Sequence, residues 1–370
     1  MVSLDTRRKG EFLMLRESMV KFPTDDLYNI EICGAGIRAL PFYLNNQIIK
    51  ILEDLGVPFE AFHQLQQDEI NFLYSTFNST ERAAKFLEDS PVPRSLRLPW
   101  LFLVLKGLGI RYTRDPFLKR VMELTTLLRL RDLKYRARIR VPNAVTLYGI
   151  MDETGYLKEN EIYCVYLGEN GRREILVRDN VVITRSPALH PGDIQVVNAV
   201  DVPANSPLRK LHNCVAFSQH GDRDLPSMLS GGDLDGDLYN IIYDTRLIPR
   251  KTIPPANYPR VEAKELDRKV ETEDIIDFFV TFMQQDQLGR IATTHQTIAD
   301  QSEFGTLDQA CLKLAHLHSV AVDYSKSGIA VRLLSDSSPI INSNSHTFTG
   351  RCLEHPQSPA GPARFHGPES

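Results

Sequence analysis

The sequence predicts an α+β fold, with a strand-rich centre between two helical stretches. Three observations predict it. Ile48, Ile49, Leu52 and Leu55 recur at helical spacing, and the helical pattern continues from residue 44 to about 130. Short apolar runs punctuated by Gly155, Gly168, Gly171, Pro191-Gly192 and Gly221 fill residues 135–243. Beyond a break at Pro254-Pro255 and Pro259, residues 262–322 read as helices again.

Taken in order, residues 1–40 read as the end of a β-rich unit, with a strand near 27–33. Residues 41–132 form a helical connecting region, whose first helix stops at Gly56 and Pro58. Residues 133–250 carry the strands, and His190-Pro191-Gly192 is expected to form a structural turn among them. Residues 251–330 form the second helical region, with Leu312, Leu314, Ala315 and Leu317 as candidate core. His316 and His318 diverge on a helix, so they do not suggest a metal pair. Residues 331–370 are rich in Ser, Pro, Gly, Asn and His with few large apolar residues, which predicts a disordered tail.

Composition excludes several classes. A 370-residue chain that is 42% hydrophobic can bury substantial cores in two or three domains. No apolar stretch reaches the roughly 20 residues needed to span a bilayer, and no signal-peptide pattern opens the sequence. The five cysteines are scattered and form no Cys-x-x-Cys pair, so neither a disulfide framework nor a zinc site is suggested. A reducing compartment, cytosol or nucleus, is the expectation.

The chemistry concentrates in Ser230-Gly-Gly-Asp-Leu-Asp-Gly-Asp237. Asp233, Asp235 and Asp237 occupy every second position, which on an extended backbone points them to one side, about 7 Å apart. Like charges that close repel by roughly a few kcal/mol per pair at an effective dielectric near 20. A bound divalent cation relieves that repulsion, and hard carboxylate oxygens suit Mg²⁺, which shares its remaining positions with water and substrate phosphates. Gly231, Gly232 and Gly236 free the backbone for a tight loop that a phosphate could approach. Apolar residues on both sides, Met228-Leu229 and Leu238-Tyr239, suggest a buried strand flanking the loop at each end. An EF-hand is excluded because its sixth and twelfth positions, Gly and Glu, are here Leu238 and Asp244. A solvated acidic turn remains the alternative on the motif alone.

Positive charge is segregated. Residues 101–140 hold eleven Lys or Arg against three acids, a local balance of +8 in a chain of net charge −4. Such a stretch fits a channel for phosphate backbone, the alternative being a solvated helix face. Arg136, Arg138 and Arg140 alternate with Ala137, Ile139 and Val141, which on a strand would set a cationic edge opposite an apolar one. Gly34-Ala-Gly-Ile-Arg-Ala39 matches a loose dinucleotide-binding pattern. Pro41, however, would fall inside the helix that pattern must open, at a cost of about 3 kcal/mol.

These motifs together resemble the eukaryotic, cell-encoded RNA-dependent RNA polymerases of RNA silencing, whose signature is Asp-hydrophobic-Asp-Gly-Asp. The similarity extends through Asp201-Val-Pro203, Asn213-Cys-Val-Ala-Phe-Ser218 and Leu225-Pro-Ser-Met-Leu-Ser-Gly-Gly-Asp-Leu-Asp-Gly-Asp237. It also includes Arg185-Ser-Pro-Ala-Leu-His-Pro-Gly-Asp-Ile194 upstream and Leu317-His-Ser-Val-Ala-Val-Asp-Tyr-Ser-Lys-Ser-Gly328 downstream, covering roughly residues 5–328.

The resemblance implies a double-psi β-barrel carrying the catalytic loop, flanked by helical segments, with part of a first barrel at residues 1–40. It implies Mg²⁺-dependent transfer of nucleotides from NTPs to an RNA 3′-hydroxyl on an RNA template. Metal ions would then stabilise the attacking and leaving oxygens, with Asp233, Asp235 and Asp237 as catalytic metal ligands rather than general bases. Arg16-Glu-Ser-Met-Val-Lys-Phe22 resembles a family motif with Glu17 in place of the usual proline, which implies phosphate contacts from Arg16 and Lys21. RNA template and product, NTPs and silencing-pathway proteins are the implied partners, with no membrane. The similarity starts inside the first barrel, so earlier strands and upstream lysines are expected to be missing. A truncated remnant that binds RNA or protein without turnover is therefore the alternative expectation.

Overall fold

The computed structural model describes residues 2, 10, 13–15, 19–20, 29, 31–90, 92, 94–168, 171–258, 266–329 and 331. They fall into two compact units, one formed by the described residues up to 72 with those from 139 onward, and the other by the described residues of 73–138. These units cut the chain elsewhere than the sequence segments do, since residues 41–72 group with the strands.

The first unit opens with β1 (Leu40–Tyr43) and α1 (Asn46–Asp54). Asn45 caps α1 by accepting the Ile48 N–H at 2.8 Å, and the helix ends at Leu55 before Gly56, whose φ is +94°. Ile48, Ile49, Ile51 and Leu52 are its buried face, as the spacing predicts. α2 (Phe59–Thr76) runs into the second unit, which continues with α3 (Thr80–Glu88), α4 (Leu98–Gly107) and α5 (Pro116–Arg136). In that unit Phe102 stacks on Tyr112 at 4.6 Å between centroids, and Lys106 pairs with Glu81.

The strands of the first unit then follow. They are β2 (Arg140–Met151), β3 (Glu161–Leu167), β4 (Arg173–Leu176), β5 (Arg178–Arg185), β6 (Ile194–Ala199) and β7 (Cys214–Phe217). A helical turn, α6 (Leu225–Met228), precedes β8 (Leu238–Ile242). Pairing runs β2-β7-β3-β6-β5-β8 and closes through β8 with β2, giving a six-stranded barrel; β1 and β4 attach outside the ring. The β2–β7 and β3–β6 pairs are parallel and the other four antiparallel. Closure removes the exposed edges that an open sheet would leave.

Alternation fills the barrel. Val145 and Leu147, Ile162 and Cys164, Val181 and Ile183, Val215 and Phe217, and Tyr239 and Ile241 enter one buried cluster from successive strands. The opposite face of β3 and β7, through Tyr163, Val165, Cys214 and Ala216, packs against Leu157, Val202 and Leu208. β3 and β7 are therefore buried on both sides, which explains their near-continuous apolar sequence.

α7 (Thr272–Gln285), α8 (Leu288–Gln301), α9 (Gln309–Val322) and α10 (Tyr324–Ser327) complete the unit. The α8–α9 connection seats on α1, where the Thr306 N–H donates to Asp54 Oδ2 at 2.6 Å. Leu314 and Ala315 are buried, Leu312 and Leu317 half-buried, and His316 and His318 diverge to exposed and buried positions.

The α+β architecture, with a closed barrel and helical flanks, is the one the sequence predicts. Of the strand expected at 27–33, Asn29 and residues 31–33 are described and carry none, and the rest lies outside the described residues. Most of the partial first barrel expected at 1–40 likewise falls outside them. Among the described residues, no helix is long and apolar enough to cross a membrane. Cys33, Cys164, Cys214 and Cys311 are free thiols, the last three buried.

Candidate functional site

The aspartate run sits between α6 and β8, and its two ends are held differently. On the β8 side, the Asp237 carbonyl accepts the Gly149 N–H of β2 at 3.2 Å. The antiparallel register of β5 with β8 sets Arg185 opposite Tyr239. That register brings the Arg185 guanidinium to Asp237, with Nη2 donating to Oδ1 at 2.8 Å. Its Nη1 donates to the Ser230 carbonyl at 3.0 Å, so one side chain bridges both ends of the loop.

On the α6 side, the expected flanking strand is a helical turn instead. Asp224 caps it by accepting the Ser227 N–H at 2.8 Å, and Pro226 occupies the first turn, where its missing N–H costs nothing. The backbone then turns sharply, with positive φ at Ser230 (51°), Gly231 (70°), Leu234 (61°) and Gly236 (138°). The run is therefore not extended, which corrects the spacing argued from a strand. Curling draws the carboxylates together: one oxygen from each of Asp233, Asp235 and Asp237 lies within 4.8 Å of the others. Gly232 is required by contact, because a Cβ there would meet Tyr239 Oη at 2.5 Å and the Pro226 carbonyl at 2.9 Å.

Asp233 and Asp235 are exposed, whereas Asp237 is half-buried. Partial burial raises the Asp235 carboxyl above its usual range, and the like charges of Asp233 and Asp237 push it further; Lys326 of α10 opposes them. Backbone N–H groups relieve part of the crowding. The Asp235 N–H donates to Asp233 Oδ1 at 3.4 Å and the Asp233 N–H to Asp237 Oδ2 at 3.2 Å. Three hard, converging oxygen donors with two open to solvent fit a divalent cation that keeps water or takes phosphate oxygens. Among the described residues this is the one His/Cys/Asp/Glu group with such convergence.

The basic residues fare differently. Arg136 is the last residue of α5, Arg138 lies in the connection after it, and only Arg140 begins a strand. Ala137 interrupts with φ +48°, so the three do not share one strand edge, although Ile139 and Val141 are buried as alternation requires. Arg136 pairs loosely with Asp132 at 3.5 Å. Arg16 and Lys21 lie outside the described residues. Sequence reasoning assigned no site role to Arg185 or Lys326. Arg185 becomes visible only once β5 is known to neighbour β8, a pairing between residues far apart in the chain.

The profile of the RNA dependent RNA polymerase family matches residues 1–358. The chain is 33% identical over 318 residues to "Probable RNA-dependent RNA polymerase 1" of Oryza sativa subsp. japonica, covering 86% of this chain and 42% of that protein. It is 34% identical over 346 residues to "RNA-dependent RNA polymerase 6" of Arabidopsis thaliana, covering 89% of this chain and 28% of that one. The chain thus spans less than half the length of these relatives. Among solved structures, RNA dependent RNA polymerase QDE-1 from Thielavia terrestris superposes with a TM-score of 0.67 at 22% identity, over 94% of this chain and 42% of that one. A closed barrel with a convergent aspartate loop, in a chain matched over nearly its whole length by one family profile, belongs to the RNA-dependent RNA polymerase family.

Proposed function

We propose that this chain carries the catalytic barrel of an RNA-directed RNA polymerase, which extends an RNA 3′-hydroxyl with NTPs on an RNA template. The double-stranded product would serve gene silencing, in the cytoplasm or nucleus, alongside silencing-pathway proteins. The observation that carries this reading is the convergence of Asp233, Asp235 and Asp237 within 4.8 Å on a loop rooted in a closed barrel.

Asp233, Asp235 and Asp237 would hold Mg²⁺. When bound, the cation would lower the pKa of the attacking hydroxyl and stabilise the charge on the leaving pyrophosphate. Arg185 keeps Asp237 aimed at the other two carboxylates and supplies a positive charge where anionic phosphates approach. Gly236 keeps a side chain out of the open space that a triphosphate would enter, whereas Gly231 and Gly232 let the loop turn closely against Tyr258 and Tyr239. Arg136, Arg138 and Arg140 are assigned to RNA or triphosphate oxygens, supported by the +8 balance of residues 101–140, and Arg16 and Lys21 are assigned there from the likeness of residues 16–22 to a family motif.

The test is nucleotide incorporation on single-stranded RNA with Mg²⁺, comparing the chain with Asp235→Ala. Incorporation that the substitution abolishes is expected. Equal incorporation by both proteins would remove the reading, and so would an absence of incorporation in both.

A further inference from the structure

We infer that Asp193, a buried carboxylate outside the aspartate loop, is a positioning residue for that loop, acting through Ser230. This rests on the metal-binding reading above and names a support for the same site.

Asp193 closes the Pro191–Asp193 turn before β6 and is 1% exposed. Its Oδ2 accepts the Leu189 N–H at 3.1 Å and the His190 N–H at 3.0 Å, and its Oδ1 accepts the Tyr258 hydroxyl at 2.7 Å. The turn that this carboxylate holds reaches the aspartate loop through Pro187, whose carbonyl accepts the Ser230 hydroxyl. One buried group thus ties the 187–193 turn to the strap over residues 253–258, and the turn meets the root of the aspartate loop at Ser230. A carboxylate suits this hub because, when ionised, it only accepts, and three donors face it.

Ser230 is where the hub meets the site. It takes a left-handed conformation, φ 51°, which a non-glycine residue holds only when its surroundings enforce it. Its side chain and its carbonyl are both engaged: Oγ donates to the Pro187 carbonyl, and the Ser230 carbonyl accepts from Arg185. Gly231 and Gly232 follow at once, then Asp233. A rotation at Ser230 would therefore swing the first aspartate, while Asp237 stays tied to β2 and Arg185.

The strap is fitted rather than loose. A Cβ on Gly192 would meet Pro255 Cα at 2.8 Å, and Gln195 Nε2 donates to the Gly192 carbonyl at 2.7 Å and the Ile253 carbonyl at 3.4 Å. A Cβ on Gly231 would lie 3.5 Å from Tyr258 Cβ, so the tyrosine that binds Asp193 also backs the loop. Groups that orient metal ligands from behind are worth about 10–100-fold in metal affinity.

The test uses Asp193→Asn and Tyr258→Phe, with Asp235→Ala as the reference for the metal reading. Hydrogen exchange of peptides spanning residues 225–238 reads the clamp without any metal. Terbium luminescence titration reads its consequence. Asp193→Asn should speed exchange across Ser230–Gly232 and weaken terbium binding about 10-fold in the folded protein; Tyr258→Phe should do the same more weakly. A role confined to stability would lower the melting temperature and leave the terbium affinity of the folded fraction unchanged, which would overturn the inference. Unchanged exchange in folded Asp193→Asn would overturn it as well. If Asp193→Asn does not fold, Tyr258→Phe decides by the same two readouts. If wild type and Asp235→Ala bind terbium alike, the metal reading falls, and the exchange data still judge the clamp separately.

Discussion

Gly149→Ala puts a methyl group where the barrel has no room for one. Gly149 lies on β2 beside β8, and a Cβ built there meets Tyr239 Cδ2 at 2.7 Å and Leu234 Cδ2 at 2.8 Å. Ordinary contact begins near 3.4 Å and Tyr239 Cε2 lies closer still, so both neighbours must give by more than half an ångström. Tyr239 cannot, since it is fully buried and its ring packs edge-on to Phe217 at 4.7 Å. Leu234 is half-buried and can move, but it stands between Asp233 and Asp235 and carries them with it. Overpacking of this kind costs about 1–3 kcal/mol, against a gain of about 0.5–1 kcal/mol from replacing glycine in a strand. The net loss of up to about 2.5 kcal/mol corresponds to a fall in Tm of several degrees, at about 2–4 °C per kcal/mol for a unit of this size. Thermal unfolding by circular dichroism measures the first effect, and terbium titration measures the displacement of the aspartates. Gly289→Ala, on α8 with nothing within 4 Å, is the control and should raise stability by up to about 1 kcal/mol. A Gly149→Ala protein with unchanged Tm and unchanged terbium affinity would refute the packing argument.

Two further perturbations probe charge. Arg185→Met strips Asp237 of its partner beside two other carboxylates, so the metal-free protein should lose about 1–3 kcal/mol. Added Mg²⁺ should then raise its Tm more than it raises that of wild type, and equal shifts would contradict the pairing. His295 of α8 is buried, which lowers its pKa to about 4; His318 pushes the same way, the Leu189 backbone and Asp54 oppose, and His190 adds a smaller repulsion. The ordinary value is near 6.5, so below that pH the unfolded chain takes the proton first. The native state then loses about 3 kcal/mol of relative stability as pH falls to 4. Asp193 works the other way. Burial raises its carboxyl to about 6 despite its donors, so the folded state takes that proton first as pH falls. His295→Gln should therefore gain on wild type between pH 6.5 and 4, read as urea midpoints at several pH values, and parallel curves for the two proteins would exclude the assignment.

The short apolar runs between turn residues made the strands legible, because strands such as β7, buried on both faces, read as continuous apolar stretches. The Gly56 stop and the helical face of α1 were equally local, and so were the three aspartates. What could not be read was the shape of the aspartate loop. Alternate acids suggest a strand, and only the left-handed turns at Leu234 and Gly236 make them converge. The run from Arg136 to Arg140 misled for a related reason. α5 holds its helical conformation through Arg136, so the period-two pattern began four residues before β2 does. The pairings of Arg185 with Asp237 and of Tyr258 with Asp193 carry no local signal, since the partners lie 52 and 65 positions apart.

That division has a physical origin. The three acids can be adjacent in sequence because a cation needs donors from one short loop, and glycines supply the curvature. Holding like charges together without the cation is a harder requirement, and a short loop cannot meet it alone. Here β2 fixes the Asp237 carbonyl, β5 delivers Arg185 across the barrel seam, and the 187–193 turn with Tyr258 holds Ser230. Each support comes from a different strand connection, and barrel closure is what makes them neighbours. Loss of one support should therefore disturb metal affinity more than global stability, whereas loss of closure, as by a charged residue at Val215 or Ile241, should abolish both together.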